Sequence, residues 1–157
     1  MTAALAAMVF PLLMIIAGVG DVLTLRIPNW LNLLIAGLFP AFALAAGMPW
    51  DLFGLHVLTG FGMLLLGALL LALGLFGGGD AKLLAAASLW LGHEGLMPFL
   101  FITAIAGGFL ALWIVLMRQL PGQHRPPSGR AYVPYGFALA AGAILAFAQH
   151  GSLGMAS

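Results

Sequence analysis

Long stretches without charge constrain this chain more than any other feature of its sequence. Only five Lys or Arg and four Asp or Glu residues interrupt its 157 positions. The charge-free stretches are residues 1–20, 27–50, 52–79, 83–93, 95–117 and 131–157. All but 83–93 reach the roughly 20 apolar residues that a membrane-spanning helix needs. With 64% hydrophobic and 6% charged residues, the chain cannot cover a globular surface with polar groups, so its outer surface is expected to face lipid.

The pattern predicts an all-α integral membrane protein with about six transmembrane helices, forming a single membrane-embedded domain over residues 1–157. The predicted helices cover about 3–24, 30–47, 52–75, 80–92, 96–117 and 132–149. The fourth is short and would begin or end below the membrane surface. A polar segment with two consecutive prolines predicts a cytoplasmic loop at about 118–131.

The positions of the basic residues predict how the helices are oriented. Counting the predicted crossings places Arg26, Lys82 and the three arginines of the loop at 118–131 on one face of the membrane. An excess of Lys and Arg marks the cytoplasmic side. Both termini are therefore predicted to be extracytoplasmic, and Asp51 and Glu94 fall on the opposite face from the basic residues.

Composition also excludes several classes of function. The chain has no cysteine, which excludes disulfides, cysteine-based zinc sites and thiol nucleophiles. Its net charge of +1 offers no basic patch for nucleic acid. The sequence His93-Glu94 does not continue into a metalloprotease HExxH helix, because position 97 is methionine. Ser88 has no GxSxG context, so a serine protease is not indicated.

Two aspartates are the candidate functional residues, because an ionisable group at membrane depth is costly and marks a functional site by default. Asp21 lies about one helical turn inside Arg26, and Asp80 opens the short fourth helix. Both fall near cytoplasmic helix ends, at similar depth, and therefore predict an aspartyl dyad that shares one proton. The ionised member would take a proton from water while the protonated member polarises a peptide carbonyl. The helix dipole would favour Asp80 as the ionised member.

Each aspartate also has a structural interpretation. Asp80 could be an ordinary N-cap after a tight turn at Gly77–Gly79, and Asp21 could form an interfacial salt bridge with Arg26. In the functional interpretation, the three glycines let an extended substrate backbone approach closely. The matching depth of the two aspartates favours the functional interpretation.

Neighbouring residues have simple local interpretations. Arg26 and Lys82 are topology determinants that could also tune the aspartates. Pro28 and Asn29 form a start signal for the second helix, with Asn29 as its cap. Two stripes of small residues predict close helix packing. The stripes are Gly60, Gly67 and Gly74 in the third helix and Ala138, Gly142 and Ala146 in the last.

Three motifs, in order along the chain, resemble those of the type IV prepilin peptidases, a family of GxGD aspartyl proteases. Gly77-Gly78-Gly79-Asp80 matches the GxGD signature, and residues 76–84, FGGGDAKLL, resemble its form in prepilin peptidases. Asp21 followed by Arg26-Ile27-Pro28-Asn29 resembles the D-x4-R-I-P-N motif of the family. Val133-Pro134-Tyr135-Gly136 resembles the PYG segment of its last helix.

The resemblance implies a multi-pass bacterial inner-membrane peptidase that removes leader peptides from type IV prepilins at the cytoplasmic face. Asp21 and Asp80 would be catalytic, and the other motif residues would shape the site or bind substrate. The short chain is most similar to the subfamily that serves tight-adherence (Flp) pili. Its partners would be the lipid bilayer and a membrane-anchored prepilin helix with its leader. Larger members carry paired CxxC motifs and also N-methylate the new terminus. Without cysteine, no metal or cofactor is expected in this chain.

Three alternatives remain at this stage, and one of them is an inactive paralogue with an intact dyad. A protease of the presenilin or signal-peptide-peptidase type would pair GxGD with a YD motif, whereas Gly20 precedes Asp21 here. A small transporter or pilus-assembly subunit would use Asp21 and Asp80 for ion coupling. Against the transporter, both carboxylates are predicted near one face, and no acidic residue continues a path to the other face.

Overall fold

The computed structural model describes residues 2–118 and 135–150, and five α-helices make up this part of the chain. They are α1 (Thr2–Thr24), α2 (Asn29–Ala45), α3 (Trp50–Ala72), α4 (Gly78–Arg118) and α5 (Tyr135–His150). The prediction of an all-α fold is confirmed over these ranges. The predicted loop at about 118–131 lies almost entirely outside the described residues, and so does Pro134.

One long bent helix takes the place of two predicted ones, which changes the count from six helices to five in the described ranges. The predicted helices 80–92 and 96–117 are the two halves of α4, which is interrupted at Gly92 with φ 61° and ψ −167°. A straight helix of 41 residues would be roughly 60 Å long, about twice the hydrocarbon thickness of a bilayer. The break therefore divides α4 into two shorter segments.

His56 of α3 packs against this break and compensates for it. Its Nδ1 lies 2.7 Å from the carbonyl oxygen of Leu89, which in an uninterrupted helix would accept the N–H four residues later. The tautomer with a protonated Nδ1 donates this hydrogen bond. The His56 ring stacks on Phe39 of α2 with centroids 5.3 Å apart. In the same region the indole of Trp90 donates to the carbonyl of Ile35 over 2.8 Å. The break is thus where α2, α3 and α4 meet.

Gly92→Ala is expected to destabilise the protein by at least about 2 kcal/mol, because only glycine tolerates this backbone conformation. A Cβ at position 92 would also lie 2.6 Å from two atoms of the His56 ring. Thermal unfolding in detergent measures the effect. Gly54→Ala in α3 is the control, since no atom lies within 4 Å of its added Cβ. Equal unfolding temperatures for the two variants would contradict this account of the break.

Small residues bring the helices into close contact, as the stripes predicted. α4 packs most extensively on α5 and α3, and α1 packs on α5 and α2. A Cβ at Gly67 of α3 would lie 3.0 Å from the backbone of Ala81 in α4. A Cβ at Gly18 of α1 would lie 2.8 Å from the side chain of Ala140 in α5. Because glycine has no side chain at these positions, the helix backbones can approach each other closely.

The third glycine of the α3 stripe does not pack against another helix, so that part of the prediction is wrong. Gly74 lies beyond the end of α3, with φ 72°, and no atom is within 4 Å of an added Cβ. Its N–H donates to the carbonyl of Leu71 over 3.0 Å. Gly74 thus ends the helix through a left-handed turn, and α3 ends three residues earlier than the predicted residue 75.

The outer surface is apolar, as expected for contact with lipid. Two helices are long and apolar enough to cross a membrane, at Trp50–Ala72 and Gly78–Met117, while shorter apolar segments lie in α1, α2 and α5. Large apolar side chains point outward, among them Leu23, Leu33 and Phe109, each more than 70% exposed. Water would penalise so much exposed apolar area, so this surface is suited to a bilayer.

Candidate active site

Two carboxylates are buried in the described part of the chain, and they are the two that the sequence singles out. Asp21 is 3% exposed and Asp80 is 6% exposed, whereas Asp51 and Glu94 are exposed. Burying a carboxylate without partners is costly. An ion path across the protein would need further buried ionisable groups, and the described residues supply no third buried carboxylate.

Asp21 lies in the last turn of α1, and its side chain is hydrogen-bonded by α5, the last helix of the described chain. Its Oδ2 accepts the backbone N–H of Gly136 over 2.8 Å. Gly136 is the second residue of α5, so this N–H is one of those left free at a helix N-terminus. Just after Asp21, α1 ends in a left-handed turn at Leu25, with φ 54°. The chain then continues through the exposed Arg26.

Asp80 lies in the first turn of α4, and its side chain accepts a hydrogen bond from the backbone at the start of the same helix. Its Oδ2 accepts the backbone N–H of Gly77 over 3.3 Å. Asp80 is the third residue of the helix, so the interpretation as an N-cap is wrong. Gly78 and Gly79 are already helical, and α4 begins two residues before the predicted residue 80. The positive-φ glycines of the described chain are Gly47, Gly74 and Gly92, so the run 77–79 does not adopt a conformation that requires glycine. Within the run, Gly79 packs closely on a neighbouring segment, because an added Cβ would lie 3.1 Å from Ile27.

Ile27 brings the two aspartate segments together. This side chain is 8% exposed. A Cβ at Gly79 would lie 3.1 Å from Ile27 Cβ, and a Cβ at Gly136 would lie 2.7 Å from Ile27 Cδ1. Ile27 thus fills the space between the first turns of α4 and α5. The two aspartates therefore share one end of the helix bundle.

The start of α2 contacts the start of α4 at two points. Lys82 Nζ donates to Asn29 Oδ1 over 2.7 Å on the exposed side. Asn29 is the first residue of α2 and does not cap it, because Pro28 occupies the N-cap position and no side chain bonds to the helix start. The predicted cap role of Asn29 is therefore wrong. Deeper in the bundle, Asn32 Nδ2 donates to the carbonyl of Gly79 over 3.3 Å.

Tyr135 covers the segment just before the glycine run. Its ring stacks on Phe76 with centroids 5.5 Å apart. On the α4 side, a Cβ at Gly107 would lie 3.5 Å from the Tyr135 ring. The first residues of α5 thus contact the Asp21 side through Gly136 and the Asp80 side through Tyr135.

Most of the predicted site residues meet at this end of the bundle, but three neighbours were not singled out from the sequence. Ile27 belongs to the R-I-P-N motif and Phe76 to FGGGDAKLL, but neither motif predicts a role for these apolar side chains. Asn32 lies outside the three motifs, but an amide within an otherwise apolar helix is a signal in itself, because burying it costs free energy. Arg26 and Pro28 are exposed beside the site.

The arrangement is suited to acid–base chemistry. Two like charges in a buried site cannot both ionise cheaply, so the pair is expected to hold one proton between them. Each carboxylate also accepts an N–H at a helix N-terminus, where the dipole favours an anion. The two helix starts therefore offset part of the cost of one buried charge. Within residues 2–118 and 135–150, no group of three or more His, Asp or Glu side chains is placed to hold a metal ion.

Comparison with known proteins gives one positive finding. The model of the type IV leader peptidase family matches residues 8–112. The match covers most of α1, all of α2 and α3 and most of α4, and it includes both buried aspartates. No curated protein and no solved structure matches the chain.

Proposed function

Because the chain belongs to the type IV leader peptidase family, we propose that it is an intramembrane aspartyl endopeptidase acting on type IV prepilins. Asp21 and Asp80 are the proposed catalytic residues. One observation carries this assignment: the two buried carboxylates, from α1 and α4, lie at the same end of the bundle and each accepts a backbone N–H. Membership of the family indicates a peptidase, and the position of the carboxylates supports the aspartic type.

The proposed mechanism uses the pair with one shared proton. The ionised carboxylate takes a proton from a water molecule while the protonated one donates a hydrogen bond to the scissile carbonyl oxygen. The water oxygen bonds to the carbonyl carbon and gives a tetrahedral intermediate. The C–N bond then breaks, and the leaving nitrogen takes a proton from the pair.

The helix dipoles do not indicate which aspartate is ionised and which is protonated. The sequence placed only Asp80 at a helix start, but Asp21 also faces one, through the N–H of Gly136 in α5. The dipoles therefore favour an anion at both positions.

The proposed location is the cytoplasmic face of the bacterial inner membrane, in a multi-pass protein with both termini extracytoplasmic. Its support is the position of the basic residues. Arg26 precedes Ile27 at the aspartate end, and Lys82 contacts Asn29 at the same end. Excess positive charge marks the cytoplasmic side, so the aspartates would face the cytoplasm.

The proposed substrate is an Flp-type prepilin, a membrane-anchored helix with a cytoplasmic leader peptide. Co-expression with such a prepilin is expected to convert the precursor to a form of higher gel mobility, with N-terminal sequencing identifying the cleaved bond. EDTA is expected to leave the cleavage rate unchanged. An inserted protein that leaves every type IV prepilin uncleaved would refute the proposal, and cleavage of only non-Flp prepilins would refute the subclass.

A further inference from the structure

Asn32 forms a hydrogen bond at the candidate active site, and this hydrogen bond has no role in the proposed mechanism. Its side chain is 4% exposed, and its Nδ2 donates to the carbonyl oxygen of Gly79. That carbonyl belongs to the peptide unit that joins Gly79 to Asp80. Because the same carbonyl can accept the N–H of Leu83 within α4, the helix does not need Asn32 to satisfy it. The bond instead ties α2 to the peptide unit next to a buried carboxylate.

An amide is a costly residue at this position. The Oδ1 of Asn32 is buried and has no hydrogen-bond partner among the described residues. A buried acceptor without a partner costs about 1–3 kcal/mol. Its buried neighbours on α2, Leu31 and Ile35, are apolar. Leucine, which resembles asparagine in shape, would avoid that cost, so packing alone does not account for asparagine here.

We propose that Asn32 is a positioning residue for Asp80, an inference that rests on the proposed peptidase function. The Gly79–Asp80 peptide unit is held by Asn32 of α2, and Ile27 packs against Gly79. These contacts fix the rotation of the first turn of α4. The separation between the Asp80 and Asp21 carboxylates is thereby held constant. Asp21 lies on a different helix, α1, and is hydrogen-bonded by α5.

The second hydrogen bond between the starts of α2 and α4 does not provide the same restraint. Lys82 and Asn29 are both exposed, so water competes for their hydrogen bond. Asn32 lies one turn further along α2 and is buried. Of these two hydrogen bonds, the buried one from Asn32 is therefore the stronger restraint on the first turn of α4.

The first test measures activity and stability together in the full-length protein. Asn32→Leu is expected to lower kcat for prepilin cleavage at least tenfold, with KM within twofold of wild type and an unchanged or higher unfolding temperature. Ser88→Ala is the matched control, because Ser88 is a buried polar residue of α4 that bonds only within its own helix, to Leu84. The control is expected to leave kcat unchanged. Full activity in Asn32→Leu, or a loss that parallels a lowered unfolding temperature, would overturn the proposal.

A second test does not depend on cleavage. The chain has no cysteine, so Asp80→Cys introduces a single thiol whose rate of modification by a maleimide reports how often the first turn of α4 opens. Adding Asn32→Leu is expected to raise this rate several-fold, and adding Ser88→Ala is not. An unchanged rate would overturn the positioning role. If wild type cleaves no prepilin, the peptidase assignment fails, and this measurement still decides whether Asn32 holds the turn.

Discussion

Asp21→Asn and Asp80→Asn are each expected to lower the rate of leader cleavage by about 10³-fold or more, the scale of loss seen when one member of a catalytic group is removed. An amide has nearly the same shape as the carboxyl group but cannot accept the proton from water or share a proton with its partner. Either variant therefore removes the acid–base pair. Prepilin processing, scored by gel mobility and by a quantitative cleavage assay, measures the loss.

Both variants are expected to fold, which separates loss of chemistry from loss of structure. Each carboxylate is almost fully buried, and each accepts a backbone N–H that an amide oxygen can also accept. Removing a buried charge relieves part of its desolvation cost, so the unfolding temperature is expected to stay the same or rise.

The controls use the two exposed carboxylates of the chain. Asp51→Asn and Glu94→Gln carry the same chemical change at exposed positions and are expected to retain full activity. The double variant of Asp21 and Asp80 is expected to lose no more activity than either single variant, because the two residues act as one unit. Cleavage retained in either single variant would remove the dyad from the mechanism.

Gly136→Ala is expected to reduce kcat at least about 100-fold, since a 1 Å displacement of a catalytic group has effects of that order. The added Cβ would lie 2.8 Å from Asp21 Oδ2 and 2.7 Å from Ile27 Cδ1. The hydrogen bond from the Gly136 N–H holds Asp21 against this position, so the carboxylate must move. Overpacking of this kind also destabilises by about 1–3 kcal/mol.

Gly142→Ala is the matched control in the same helix. Its Cβ would collide with the side chain of Thr103 and lie 3.0 Å from the carbonyl of Phe99, so it crowds the contact between α4 and α5 as severely. This position lies about two turns from Gly136. A comparable fall in unfolding temperature is expected for both variants, with kcat preserved only in Gly142→Ala. Equal losses of kcat would show that Gly136 serves packing alone.

Local patterns in the sequence predicted the helices well where hydropathy and turn residues decide them. The predicted 3–24 for the first helix agrees with Thr2–Thr24, and α2 begins within one residue of its prediction. The error in the number of helices arises where contacts with other helices decide the outcome. The two predicted helices form one helix with a bend at Gly92. His56 from α3 hydrogen-bonds the carbonyl of Leu89, which loses its helical partner at the bend. No pattern within residues 80–117 contains that partner.

The same distinction applies to the candidate site. Hydropathy and motifs alone predict an apolar, helical chain of the type IV leader peptidase family, with two aspartates at similar depth near helix ends, because hydropathy along a helix indicates depth. The rotation of each helix about its axis, and the side-chain contacts that follow from it, are visible only in the folded molecule. The contacts of Asp21 with Gly136 and of Asn32 with Gly79 join residues 115 and 47 positions apart. Such contacts depend on many weak packing interactions between helices, and no local pattern encodes them.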